Sequence, residues 1–418
     1  MTSKAAFAAL SLSLVLTASA AAETVVSDSG SSFGNSAIAV TGRGDLVIVW
    51  EAIDDRSSSH GVFAQLYDAA GRPRGPVFLA HSEIFGYQTN PKVAADQAGN
   101  FVVAWQGGGP TVGNNTPGGD GDLTGIFVQR FDSKGRRQGR QIRVNREIAG
   151  YQVSPVVAMD RNGSFVVAWY DCPVSTLDCG LRAQSFAAAG ARKGPEVKVD
   201  LEAGDSFSRE IFVAMTPEGF SVGWTEYDPI VSQTSEITPV IARFTPAGRP
   251  VGAPFRLSDG QRDGQGWTLA GLGASEASSA ALFRGGRNSI QVFSPEGDPL
   301  GSRKIVGKRA PCLEDPDRDH WCETPLALAM NASGQFAVVW FVDRTDIPFG
   351  PTRLDIWAQL FDADGQPRGE RFQVNRDYEG AHGVSAVLSD SGVLTVLWQG
   401  RRLSDSGVNL VFRRFRLQ

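Results

Sequence analysis

The sequence predicts an all-β chain folded as a single seven-bladed β-propeller with four-stranded blades, and three observations carry that expectation. An apolar run of the Phe-Val-Val-Ala-Trp type ends on Trp50, Trp105, Trp169, Trp224, Phe283, Trp340 and Trp398, at spacings of 55, 64, 55, 59, 57 and 58 residues. Self-similarity on a fixed beat of this length marks a repeat architecture. The 48 Gly and 22 Pro among 418 residues supply the turns, and 42% apolar content supplies a large core, which excludes a disordered or collagen-like chain. The last copy stops after its third strand, Asn409 to Phe415, while an orphan strand, Thr24 to Ser27, stands before the first copy. Pairing the two closes the ring and removes both sheet edges.

Each unit reads as four short β runs. Asn90 to Trp105 aligns almost position by position with Ser154 to Trp169, and again around Leu326 to Trp340. Run two, Phe101 to Trp105, is apolar on both faces and must be covered on both sides, as in sheets stacked face to face around an axis. Asp-x-x-Gly turns separate runs one and two, and runs three and four. Residues 23–418 shared among seven units give about 57 each, in keeping with the aromatic beat.

The ends and the cysteines place the chain in a cell. Lys4, the apolar run Ala5 to Leu16 and the Ala-rich exit at Ala20 or Ala22 read as a secretory signal over residues 1–22. The remainder, 23–418, is then an exported propeller, periplasmic or extracellular, with no membrane span after cleavage. Four cysteines allow three pairings. Local bridges Cys172–Cys179 and Cys312–Cys322 are expected, because each pair brackets one polar loop. With 40 Lys+Arg against 45 Asp+Glu there is no basic excess for nucleic acid or an anionic membrane.

These units resemble a repeat common in large secreted bacterial proteins, often beside hemolysin-type (RTX) calcium-binding repeats. The resemblance rests on Pro-x-Val-Ala, Gly-x-Phe-Val-Val-x-Trp, Asp-Gly-Asp, Gly-Ile-x-x-Gln-x-Phe-Asp and Val-Asn, carried from Pro91 to Asn145 and mostly again from Pro325 to Asn375. It implies the propeller fold and modules that bind or adhere. The Gly-Gly-x-Gly-x-Asp calcium arrays themselves are missing from this sequence.

Loops after strands two and four are long and individually different, whereas the Asp-x-x-Gly turns on the opposite face are short and uniform. Function concentrates where a rigid scaffold varies. Two strand-four loops share Gly-Tyr-Gln, placing Tyr87, Gln88, Tyr151 and Gln152 at the channel rim, with His382 at the aligned spot. Such edges can hydrogen-bond a sugar; equally, the Gln can tie down the loop backbone and the Tyr can pack between blades. The Trp ring reads as packing between blades, while Trp321, beside His320 in the Cys312–Cys322 loop, stands off that register as a binding candidate. Asp120 and Asp122 on a Gly-rich loop, and Asp315 to Asp319, are candidates for calcium; no other cofactor is implied. Arg43-Gly-Asp45 falls in a short turn and reads as chance.

No zinc-protease helix or phosphate loop occurs, and the four histidines are scattered. The expected function is therefore a binding or interaction module that takes a glycan, small polar molecule or protein on the long-loop face. A hydrolase or lyase at the channel mouth is the alternative, marked by clustered acids with raised pKa values; a structural cell-surface module is the third.

Overall fold

The computed structural model describes residues 19–27, 35–54, 59–82, 86–108, 123–174, 179–199, 210–227, 237–256, 268–276, 278–284, 288–294, 297–306, 321–344, 353–402 and 407–416. Strands β1 (Ser19–Ala20) and β2 (Thr24–Ser27) precede a first unit of β3 (Ser36–Val40), β4 (Leu46–Asp54), β5 (Ser59–Tyr67) and β6 (Pro73–Leu79). The next holds β7 (Tyr87–Ala95), β8 (Phe101–Gly108), β9 (Thr124–Phe131) and the short β10 (Ile142–Arg143). Then come β11 (Tyr151–Met159), β12 (Phe165–Cys172), β13 (Gly180–Phe186) and β14 (Arg192–Lys198). They are followed by β15 (Phe212–Thr216), β16 (Gly219–Tyr227), β17 (Ile237–Phe244) and β18 (Phe255–Arg256). The fifth set is β19 (Thr268–Ala274), β20 (Ser279–Arg284), β21 (Ser289–Phe293) and β22 (Pro299–Ile305). The sixth is β23 (Trp321–Met330), β24 (Phe336–Arg344), β25 (Arg353–Phe361) and β26 (Pro367–Gln373), and β27 (Tyr378–Leu388), β28 (Val393–Arg402) and β29 (Val408–Arg416) end the chain.

Within each unit, strands pair antiparallel with their chain neighbours, the up-and-down sheet of a propeller blade. One parallel bridge, Tyr151 opposite Thr124, ties the β7–β10 sheet to β11. The first strands touch in order, β3 with β7, β7 with β11 and so on to β23 with β27, and β27 in turn touches β3. The apolar clusters straddle consecutive units. Ala37, Val49 and Ala64 meet Val93, Val103 and Trp105, for example, and Ile38, Ile48 and Trp50 meet Leu397, Leu410 and Phe412. The architecture is a β-propeller, its core lying between stacked sheets.

The repeat's own residues explain this regularity. The phenylalanine that opens strand two, or follows its first residue in β16, stacks on the last residue of strand three: Phe101 on Phe131 at 4.9 Å, Phe165 on Phe186 at 4.7 Å, Phe220 on Phe244 at 5.0 Å, and Phe336 on Phe361 at 5.1 Å. The motif glutamine clips the outer hairpin. Gln65 Nε2 donates to Leu66 O and Gly75 O, and Gln129 Nε2 donates to Arg130 O and Gly139 O in the same way. Gln184, Gln291 and Gln359 repeat the clip. The Val-Asn asparagine fixes the return to strand three, with Asn145 Oδ1 accepting from Ile126 N at 2.9 Å and Asn375 Oδ1 from Ile356 N at 2.7 Å. Buried amides persist because protein groups satisfy them.

The N-terminal strand lies antiparallel to β29, with Thr24 opposite Phe412 and Val25 opposite Val411. Pairing continues through β1, where Ser19 faces Arg416, residues that the sequence reading assigns to a leader. Glu23 caps this join, accepting from Arg376 N at 2.7 Å and Asp377 N at 3.1 Å. Burial holds its carboxyl above the usual glutamate range in spite of those bonds.

Candidate functional site

Two cavities mark the two ends of the channel. One, of ≈ 370 Å³, is ringed by the ends of all the first strands β3, β7, β11, β15, β19, β23 and β27 at their Asp-x-x-Gly-type turns. Arg161 Nε pairs with Glu276 Oε1 there at 2.8 Å, and turn residues are bonded, as Ala332 N to Asp390 Oδ1.

The other cavity, of ≈ 380 Å³, opens on the long-loop face, where the first strands begin. Asn35, Asn90, Lys92, Ser154, Glu210 and Arg284 line it together with apolar residues. The volume falls in the range of small-molecule sites, about 300–1,000 Å³. At this mouth the strands bulge: the β7–β8 register shifts between Thr89 and Lys92, and the β11–β12 register between Val153 and Val156. The bulge re-aims the side chains that follow. It also leaves Asn90 and Ser154, each just before a proline, at φ of 53° and 54°, left-handed conformations without glycine.

A polar relay behind the mouth holds those two residues. In three units the residue after the strand-two aromatic reaches to the next unit. Glu51 Oε2 accepts from Asn90 N at 3.1 Å, Gln106 Oε1 from Ser154 N at 3.4 Å, and Thr225 Oγ1 from Leu269 N at 3.0 Å. Glu51 also bonds His60 Nδ1 at 2.6 Å, and the His60 ring meets Tyr87 edge-on at 5.5 Å. Asn90 further donates to Gln106 Oε1 at 3.3 Å and accepts from Asn35 Nδ2.

Lys92 departs from the repeat. Opposite the same strand-two register the other units carry Ala37, Val156, Phe212, Gly271, Ala327 and Ser385. Lys92 is partly exposed to the cavity and otherwise surrounded by protein. Burial pushes its ammonium below the usual lysine range. Among the described residues neither a carboxylate nor a hydrogen-bond acceptor partners it. Arg284, by contrast, faces Glu210 at 3.7 Å and donates to Thr268 Oγ1 at 3.2 Å.

The sequence-predicted residues are dispersed. Gln88 and Gln152 do not rim the channel. Gln88 is 2% exposed and its Oε1 accepts from Trp105 Nε1 at 2.8 Å. Gln152 is wholly buried, donating to Ala149 O and Asp171 Oδ1 and accepting from Asn145 Nδ2. Both side chains are turned inside the protein, Gln152 tying down the loop backbone at Ala149 and Gln88 holding the Trp105 indole. The glycines before these Tyr-Gln pairs are required: a Cβ on Gly150, at φ 84°, would meet Cys172 O at 2.5 Å. Tyr151 stays 39% exposed at the start of β11, opposite Cys172, and Tyr87 sits beside His60. The Cys172–Cys179 bridge is formed. The side chains of Trp321 and His382, and the Asp120, Asp122, Asp315–Asp319 and Cys312–Cys322 expectations, lie outside the described residues. The repeat tryptophans are packed between sheets, Trp105, Trp169 and Trp398 being fully buried.

Sequence reasoning missed Lys92, Glu51 and Arg284. A signal was available, since each breaks the apolar or neutral consensus of its aligned column. No metal-competent group of three His, Cys, Asp or Glu occurs among the described residues.

No family model and no curated protein matches this chain. Among solved structures, an α-L-arabinofuranosidase from Fusarium graminearum in complex with an iminosugar inhibitor is 12% identical, at a TM-score of 0.48, with 92% of each chain covered. The β-propeller domain of the trilobed protease from Pyrococcus furiosus is 8% identical, at a TM-score of 0.49, covering 92% of this chain and 94% of that one. A protein of unknown function from Dyadobacter fermentans is 11% identical, at a TM-score of 0.51, covering 96% and 99%. This last likeness is one of fold, and it runs over nearly the whole of both chains.

Proposed function

We propose that the protein is an exported, seven-bladed propeller closed by its N-terminal strand. It serves as a binding module that takes a small polar ligand at the long-loop mouth of its channel. The cyclic contact of the first strands, the Trp50–Phe412 core between the terminal units and the β2–β29 pairing support the ring. The Cys172–Cys179 bridge favours an oxidising compartment. The single observation that carries the function is Lys92, a charge without a partner among the described residues, in a column that is otherwise small or apolar. A buried charge left unpaired costs stability, so packing does not account for it.

The hydrolase or lyase reading expects clustered acids held above their usual range. The one acid so held among the described residues is Glu23, at the N-terminal join rather than the mouth. A thermal-shift panel of sugars, sugar acids and amino acids tests the binding reading on wild type, Ser154→Trp and Arg161→Trp. Any compound that stabilises the wild type should lose its effect in Ser154→Trp, which fills the long-loop mouth, and keep it in Arg161→Trp. The reverse pattern, or silence across the panel, overturns the proposal.

A further inference from the structure

We infer that the ligand of the long-loop mouth is a small hydroxylated monocarboxylate, of the size and chemistry of a sugar acid, whose carboxylate pairs with Lys92. This deepens the binding reading above and rests on it.

Charge sets the anion class. Among the described residues, Lys92, Arg284 and Glu210 are the charged ones lining the cavity, and together they leave one positive charge in excess. Arg284 is already engaged by Glu210 and Thr268, so among the described residues the cation left without a partner there is Lys92. One carboxylate neutralises it. A phosphate monoester brings a second charge against the Glu210 carboxylate, with no further unpaired cation among the described residues of the mouth to meet it. An ammonium with three donors and no acceptor among the described residues can make three charge-assisted bonds, and these are the strong ones.

Polar lining sets the rest of the ligand. Ser154 Oγ makes no hydrogen bond among the described residues; Asn35 gives its Nδ2 to Asn90, which leaves its Oδ1 as an acceptor. A hydroxyl donor and a hydroxyl acceptor on the ligand satisfy these two groups. Asn35 and Ser154 are held in place from behind, through Asn90, Gln106 and Glu51. Such preorganisation reduces the entropy lost on binding. The proline-flanked bulges fix the same strand ends, so the site is built into strands rather than borne on loops.

Glucuronate, glucuronamide, glucose and glucose 6-phosphate are the probes, titrated calorimetrically into wild type, Lys92→Met, Lys92→Arg and Ser154→Trp. Glucuronate should bind at least about tenfold more tightly than glucuronamide or glucose, and no more weakly than glucose 6-phosphate. Lys92→Met should remove that preference, and Lys92→Arg should restore part of it. Equal binding of glucuronate and glucuronamide, no effect of Lys92→Met, tighter binding of the phosphate, or no glucuronate binding at all overturns the carboxylate assignment. A neutral probe that binds and is lost in Ser154→Trp leaves the mouth reading standing while the carboxylate falls. Glucuronate binding that survives Ser154→Trp sinks the mouth itself.

Discussion

At the uniform-turn mouth of the channel, five turns between strands one and two place glycine at positive φ: Gly44, Gly99, Gly163, Gly334 and Gly392. Asp160 Oδ1 accepts from Asn162 N and Ser164 N, and Asn331 Oδ1 from Gln335 N, so the turn polar groups are satisfied locally. The three methionines after Met1, at 159, 215 and 330, line that end. At the long-loop mouth, the other end of the same strands, positive φ falls on Asn90 and Ser154, the ladders bulge, and Lys92 has no partner among the described residues. Stability accounts for the first mouth residue by residue. At the second it accounts for the relay that holds Asn90 and Ser154, but not for the strain or the charge that the relay holds. Strained residues of this kind cluster at functional sites, which is why the proposed site is set at the second mouth.

Three substitutions sharpen or break that contrast. The largest effect is expected at the glycine-built mouth. A Cβ on Gly163, at φ 87°, meets Asp96 Oδ2 at 3.1 Å and Ala188 Cβ at 3.2 Å. Gly163→Ala should cost about 1–3 kcal/mol in chemical denaturation and leave ligand binding untouched. A stable Gly163→Ala with impaired binding would reverse the roles of the two ends.

Lys92→Met comes next and should stabilise. The folded-state pKa lies below the unfolded value, so between the two the unfolded chain binds more protons and stability rises with pH. On the acid side of that window the full cost of burying the ammonium is present. The variant should melt about 1–2 °C higher on the acid side of that window, and the gain should shrink as pH rises through it towards about 10.5. A lower melting temperature would mean that Lys92 carries a structural ion pair. The smallest change is Ser154→Gly, which relieves the left-handed strain and should gain about 0.5 kcal/mol, traced by urea unfolding. A loss of similar size would show that the residue is unstrained.

Much of the fold was readable from the chain because its determinants are local. Phe101 finds Phe131 and Gln65 finds Gly75 through hairpin register alone. The orphan strand at Thr24 could be matched to β29 because an unpaired strand and a missing one are both visible in the repeat count. The candidate site was less readable. Gly-Tyr-Gln looked like a rim motif, but the strand turns Gln88 against Trp105 and Gln152 against Asp171.

The sequence by itself determined the all-β class, the positions of the strands, the turns that join them and the local Cys172–Cys179 bridge. Only the tertiary structure decided which polar side chains share the channel. Lys92 and Arg284 belong to different units far apart in the chain, and they line one cavity because sheets pack around an axis. Nor could the facing of residue 92 be counted from strand alternation, because side chains alternate with a period of two and one bulged residue exchanges the faces beyond it. Pro91 announces a break in the strand. Whether that break aims Lys92 at the channel or at the neighbouring sheet is settled by packing.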